Sequence, residues 1–244
     1  MVKRLYYLFM GHLSKITDDV WAVTGELPLA LGMRFPVRMT LLRSKSDVVV
    51  ISPIAIDDAL AAEIDALGPV TAIVAPNLLH HLYLAAAVAR WPTAKVFGPQ
   101  KLATGKRKEL RFDGTPAALD IEGVDVVALD GVPSIDEHVI VHRASRTAIV
   151  TDLVFNVHEA NTITRWVLTW ISDAFGAPKT SRLWRMATKD RAALKESLGH
   201  LLAHDFDRLI VAHGEVVETN AKEVLVALSG WLGDVPRALL PRAT

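Results

Sequence analysis

The chain has 244 residues, 51% hydrophobic and 22% charged, which supplies a large core, excludes a disordered protein and allows a single α/β domain over residues 1–244. Its 27 basic and 27 acidic residues balance, so no net field draws it towards nucleic acid or an anionic membrane, and neither is expected as a partner. The absence of cysteine excludes disulfides, thiolate-bound zinc and a cysteine nucleophile, leaving imidazole and carboxylate as ligands for a transition metal.

The opening segment, MVKRLYYLFMGHLSK, places a short apolar stretch, Leu5 to Met10, after two basic residues. It is shorter than a usual signal-peptide core and no small-residue cleavage site follows it, so a cytoplasmic location is expected. Charged residues or histidine interrupt every longer apolar run, so no membrane-spanning helix is expected.

Strands are predicted at Val20 to Thr24, Val37 to Arg43 and Asp47 to Ile51, the last two forming a hairpin around Ser44-Lys45-Ser46. Asp57 to Leu67 carries Leu60, Ile64 and Leu67 at helical spacing and stops at Gly68-Pro69. A buried strand is predicted at Val70 to Ala75, a helix at Leu82 to Arg90, and strands at Lys95 to Phe97, Val124 to Leu129, His138 to His142 and Thr147 to Thr151. Such alternation predicts a layered α/β fold. The charged stretch between Gly105 and Gly114 mixes both signs and reads as a solvated loop.

Thr162 to Phe175 places Trp166 and Trp170 on one broad apolar helical face, as core, lid or dimer contact; a homodimer is one expected assembly. An amphipathic helix from Asp190 to His204, a strand at Arg208 to Ala212 and a helix near Lys222 to Leu232 complete the chain.

Three predicted strand ends present groups able to bind metal, where α/β sheets place their sites: Asn77-Leu78-Leu79-His80-His81, Thr151-Asp152 and Ala212-His213-Gly214. On the loop before the Leu82 helix, His80 and His81 can converge on one ion. Asp152, flanked by Ile149-Val150 and Leu153-Val154-Phe155, is buried at a cost of several kcal/mol unless a cation or donors compensate it. Gly214 lets the backbone turn after the Leu209-Ile210-Val211 strand and is expected to leave the His213 ring exposed at the sheet edge. Imidazoles with one carboxylate suit zinc, manganese or iron with a position left for water.

The order of these parts resembles the metallo-β-lactamase-like superfamily. Thr151-Asp152-Leu153-Val154-Phe155 is similar to the family's Gly-Asp-Leu-Val-Phe, and Ala212-His213-Gly214 to its late Gly-His-Gly. Setting the last two residues of the family's His-x-His-x-Asp-His loop on His80-His81 puts its first two histidines at Pro76 and Leu78. The family's further histidine, in a Gly-His-x-x-Gly turn, falls on Gly131-Val132-Pro133-Ser134. The resemblance therefore implies a four-layer αββα sandwich that keeps one metal site of the usual two.

It further implies a metal-dependent hydrolase with one divalent ion, zinc foremost and manganese or iron as alternatives, held by His80, His81, Asp152 and His213. The ion would lower the pKa of a water towards about 7. The substrate expected is a small molecule with a carbonyl group: an ester, lactone or thioester. His80 is also a candidate proton-transfer base, Asp152 a catalytic group, and Glu137 a base or replacement ligand. The competing expectation is a non-catalytic ligand- or partner-binding protein on the same scaffold. His158-Glu159 is a candidate support for the ligands, whereas His200 and His204, four apart on one helix, read as a solvated face.

Overall fold

The computed structural model describes residues 11–233; the Leu5 to Met10 stretch lies outside them. Two sheets form the interior. The first runs through β1 (Ser14–Thr17), β2 (Val20–Pro28), β3 (Arg34–Ser44), β4 (Asp47–Ile51), β5 (Val70–Val74) and β6 (Lys95–Phe97) in sequence order. Its first four strands pair antiparallel and the rest parallel. The second sheet has the order β10 (Arg208–Gly214), β9 (Thr147–Asn156), β8 (His138–His142), β7 (Val124–Ala128), with only the β10–β9 pair parallel.

The apolar residues divide into layers. Val20, Leu42, Val49, Ile51, Val74, Ile140, Ile149 and Ile210, drawn from both sheets, pack in one cluster between them. On the outer face of the first sheet, Met39, Val50 and Ile73 pack with Leu60 and Ile64 of α1 (Asp58–Asp65) and Leu84 of α2 (Leu84–Arg90). On the outer face of the second, Val139, Val150 and Val211 pack with α4 (Arg182–Ala187), α5 (Arg191–Ala203) and α6 (Ala221–Leu228) through Trp184, Leu198 and Leu225. Each sheet buries both of its faces, one against the other sheet and one against helices, which makes the four-layer αββα sandwich. All ten residues of β9 are consequently buried, which is why its apolar runs Ala148-Ile149-Val150 and Leu153-Val154-Phe155 show no alternation with polar residues.

Helix starts follow capping chemistry. Asp57 accepts from Leu60 N and Asp190 from Ala192 N and Ala193 N, satisfying amides that a helix N-terminus leaves unpaired.

The differences from the predicted elements have local causes. β9 continues five residues past Thr151, and β10 two past Ala212. The Thr162 to Phe175 helix is shorter: α3 (Thr162–Trp166) runs into a π turn, Val167–Ile171, and ends before Asp173 at φ 50. α4 and β1 are additional, and α6 stops at Leu228 before a separate 3-10 turn. Among the described residues no helix is long and apolar enough to cross a membrane.

Candidate metal centre

Segments from both sheets meet at one edge of the sandwich: the turn after β5, the end of β10 and, in place of the expected strand end, the middle of β9 at its irregularity. His80 sits in the turn between β5 and α2, held by Asn77, whose Oδ1 accepts from Leu79 N and His80 N at 2.8 and 2.9 Å. The same fully buried side chain donates through Nδ2 to Thr151 Oγ1 at 2.9 Å and Asp152 Oδ2 at 2.6 Å. Asn77 thus sets the turn that carries one site residue and orients another.

Asp152 reaches the site through a bulge. Val211 pairs with Val150, but His213 pairs with Phe155, so five residues of β9 run beside two of β10. The extra residues break the ladder and re-aim the carboxylate. His213 follows on β10, and Gly214 beyond it adopts φ 104 with its Cα so close to the Asn156 carbonyl that an added Cβ would lie 2.0 Å from the oxygen.

Among the described residues, His80, Asp152 and His213 form a group of ligand atoms within 4.8 Å of one another. His80 Nε2 lies 3.3 Å from Asp152 Oδ2, and His213 Nε2 lies 3.4 Å from Asp152 Oδ1. The expected exposure of His213 is corrected: its ring is 3% exposed, packed between Phe35 at 4.7 Å and Phe155 at 4.8 Å.

The hydrogen bonds decide which ring nitrogens face inward as acceptors. His213 Nδ1 lies 2.8 Å from the Pro36 carbonyl, which can only accept, so Nδ1 carries the proton. In the neutral ring, Nε2 then presents a lone pair to a carboxylate oxygen, a repulsive arrangement that only a shared cation or a proton on Nε2 relieves. The 3.3 and 3.4 Å separations exceed the roughly 2.7–2.9 Å of a charge-assisted hydrogen bond. They match ligand atoms each about 2.0–2.1 Å from one tetrahedral ion, which lie about 3.3 Å apart. The donor set fits a divalent metal.

Burial alone would raise the Asp152 carboxyl, but the adjoining His80 and His213 rings, wherever they carry a second proton, override it and lower the group below the usual carboxylate range; a shared cation would act in the same direction. The carboxylate is ionised and ready to ligate.

His81 does not join the group. Arg107 donates to the carbonyls of His81 and Leu82 at 3.1 and 3.2 Å, turning the chain away after His80, and the His81 Nδ1 is buried without a hydrogen-bond partner. Burial, then the charges of Arg107 and Lys106, pull its pKa down. The 105–114 stretch is therefore more than a solvated loop. The expectation of four ligands becomes a set of three.

Glu137 also departs from expectation. It is 1% exposed and does not line the pocket at the site; its oxygens accept from Thr151 N at 2.7 Å and Trp184 Nε1 at 3.3 Å. His158 is exposed and bonds Asn156 Oδ1 at 2.8 Å, and His200 is exposed while His204 lies 3.4 Å from Asp125; none of the three approaches the group. Where the family's first-site histidines would stand, Pro76 and Leu78 are buried, and Leu78 N donates to Ile135 O at 2.8 Å.

The three groups stand at the floor of a pocket of about 420 Å3 with walls from Leu27, Leu29, Phe35, Val37, Ile54, Leu79, Leu82 and Tyr83. Ser52, which the sequence reading passed over, also lines it, with Oγ 2.6 Å from His80 Nδ1. Its signal was present: Ser52 follows the apolar strand end Val49-Val50-Ile51 and precedes Pro53, a strand-end position like that of His213.

No family model and no curated protein matches the sequence, but solved structures match its fold. A metallo-beta-lactamase from Pontibacter korlensis is 16% identical over 91% of this chain and 99% of its own, with a TM-score of 0.62. The mono-zinc form of the metallo-beta-lactamase FIM-1 from Pseudomonas aeruginosa is 14% identical over 97% of this chain and 99% of its own, TM-score 0.63. The DIM-1 metallo-beta-lactamase exposed to ceftazidime is 11% identical over 92% and 99%, TM-score 0.64. The fold is metallo-β-lactamase-like. Within it, His80, Asp152 and His213 form, among the described residues, the group that could hold a metal ion.

Proposed function

We propose that the protein is a hydrolase with one divalent metal, zinc foremost, held by His80, Asp152 and His213, acting on a carbonyl substrate such as an ester, lactone or thioester. The observation that carries this reading is the pairing of His213 Nε2 with Asp152 Oδ1 at 3.4 Å while Nδ1 is committed to Pro36. A bound ion there supplies Lewis acidity and lowers the pKa of a water. Three protein ligands leave a fourth position open, as in catalytic zinc sites, and one fold neighbour has been solved in a mono-zinc form.

The chain's own residues prepare the site. Asn77 fixes the Asp152 carboxylate, Pro36 fixes the His213 tautomer and Ser52 fixes the His80 ring. The apolar walls exclude water around these groups and take up an apolar portion of the substrate. A single ion lacks the two-metal clamp suited to phosphoesters, which favours carbonyl chemistry.

The test is metal content by mass spectrometry on protein purified without chelator, beside His80→Ala, Asp152→Ala, His213→Ala and His81→Ala variants, followed by an ester, lactone and thioester panel. One equivalent of metal retained in His81→Ala and lost in the other three, with turnover that follows the metal, supports the reading. Wild-type protein that takes up no zinc, manganese or iron on incubation sinks it in favour of a non-catalytic binding protein.

A further inference from the structure

Among the described residues ten large hydrophobic side chains are exposed, and they are not scattered. Two lie on the β2–β3 hairpin tip (Leu29, Leu31), two beside His80 (Leu79, Leu82), and the other six fall between Ile163 and Met186. Scattered exposed hydrophobics are ordinary, whereas a contiguous set marks an interaction surface. Leu31 is 85% exposed, Trp166 57% and Trp170 68%.

Hydrogen bonds join these segments. Asn161 Nδ2 donates to Gly32 O at 2.9 Å and Thr164 Oγ1 receives Arg34 N at 2.9 Å, fastening the hairpin tip to α3. Arg182 Nη1 donates to Trp170 O at 3.3 Å, fastening α4 to the end of the tryptophan helix. Leu29, Leu79 and Leu82 also line the pocket. The pocket's exposed leucines, the hairpin tip and the tryptophan segment are therefore held beside one another as one apolar belt.

Charge is segregated on the same stretch. Residues 161–189 hold five cations against one anion, Asp173, which pairs with Lys179 and Arg185 and leaves Arg165, Arg182 and Lys189 as the exposed cations. Whole-chain neutrality, which argues against an anionic surface as partner, averages over this local excess. Exposed tryptophans flanked by arginines and lysines match the chemistry of a bilayer interface, where amphipathic rings sit at headgroup depth and cations meet anionic lipid. A second copy docked through the same face would oppose cation to cation and cover the pocket mouth.

We propose that this belt docks the protein on an anionic lipid surface, with Trp166 and Trp170 inserted at the headgroup level. The proposal goes beyond the reading of the metal site and needs neither metal nor turnover for its test. Joined to that reading, it makes an amphiphile with an apolar chain the fitting substrate class, because the pocket mouth opens within the belt.

The experiment is sedimentation of the full-length protein with phosphatidylcholine vesicles, with and without phosphatidylglycerol, beside a Trp166→Ala/Trp170→Ala double variant and Arg165→Glu. Binding that requires the anionic lipid, weakens with salt, and falls at least about tenfold in the double variant at unchanged melting temperature is expected. Arg165→Glu, which keeps both tryptophans, should weaken it as well. Wild-type protein left in the supernatant with both vesicles overturns the proposal, as does a double variant that partitions like wild type. A dimer in sedimentation velocity that the double variant dissolves, without vesicle binding, assigns the belt to a second copy and overturns it too.

Discussion

Ser52 Oγ lies 2.6 Å from Nδ1 of His80, at a residue whose backbone is held at φ 55 directly after β4. A non-glycine residue at positive φ costs about 1–3 kcal/mol and persists where surrounding structure enforces it, commonly at functional sites. With His80 Nε2 turned to Asp152, the serine fixes the ring that would hold metal. Ser52→Ala is expected to lower metal affinity or turnover by about 10–100-fold while shifting stability by about 1 kcal/mol or less. Zinc titration with an indicator competitor and urea unfolding measure the two effects; an affinity unchanged from wild type counts against the orienting role.

Metal should bind the native state and not the unfolded chain, so loading is readable as stability. Zinc at a hundredfold excess over its dissociation constant should stabilise the wild type by about 2.7 kcal/mol, reversed by chelator. Asp152→Ala and His213→Ala should show no such shift, and His81→Ala should keep it, because His81 lies outside the ligand group. Thermal scans of the four proteins with and without zinc decide it. A shift lost in His81→Ala would restore the four-ligand set.

Much of this was legible in the sequence. The strands other than β1, with α1, α2 and α5, announce themselves by their apolar patterns, and the His80 and His213 segments of the site by a polar residue closing an apolar run. The sequence could not separate His80 from His81, since adjacency in a turn leaves open which ring faces inward. That choice is made in part locally, by Asn77 binding the turn's amides, and in part at long range, by Arg107, 26 residues on, gripping the carbonyls of His81 and Leu82. The β9 bulge was equally hidden, because Leu153-Val154-Phe155 has the composition of an ordinary buried strand. Glu137 misled for a related reason: its neighbourhood in sequence is near the site, but its carboxylate is spent on Thr151 and Trp184.

Glu137 makes stability depend on pH. Burial, then the negative charge of Asp152, push its carboxyl up from 4.5 to about 7, against hydrogen bonds from the Thr151 and Leu153 amides. A folded pKa above the unfolded one means that the fold favours the protonated form. The contribution is full below the ordinary value and is lost as pH rises through about 7. Urea unfolding of chelator-treated protein should therefore show stability falling across that interval, and Glu137→Gln should flatten the fall. Below the ordinary carboxyl value Glu137→Ala should cost about 2–4 kcal/mol, because it leaves the Thr151 amide and the Trp184 indole buried without an acceptor, and the cost should shrink as pH rises. A pH slope identical in wild type and Glu137→Gln would assign the titration to another group.

Gly214 ties the position of His213 to the backbone. At φ 104, with an added Cβ 2.0 Å from Asn156 O and 2.7 Å from Val157 N, alanine meets main chain on a neighbouring strand, which cannot swing aside as a side chain does. Asn156 is held in turn by Nδ2 donating to Glu215 O at 2.9 Å, so relaxation must displace the end of β10 together with the imidazole. Gly214→Ala is expected to cost at least about 2 kcal/mol and to abolish zinc binding, although it removes no ligand. Gly105→Ala, in open space and without a positive φ, should stay within about 0.5 kcal/mol of wild type and keep its metal. If Gly214→Ala binds zinc as the wild type does, the ring is positioned by its Phe35 and Phe155 packing, and the β10 backbone is not what sets the site.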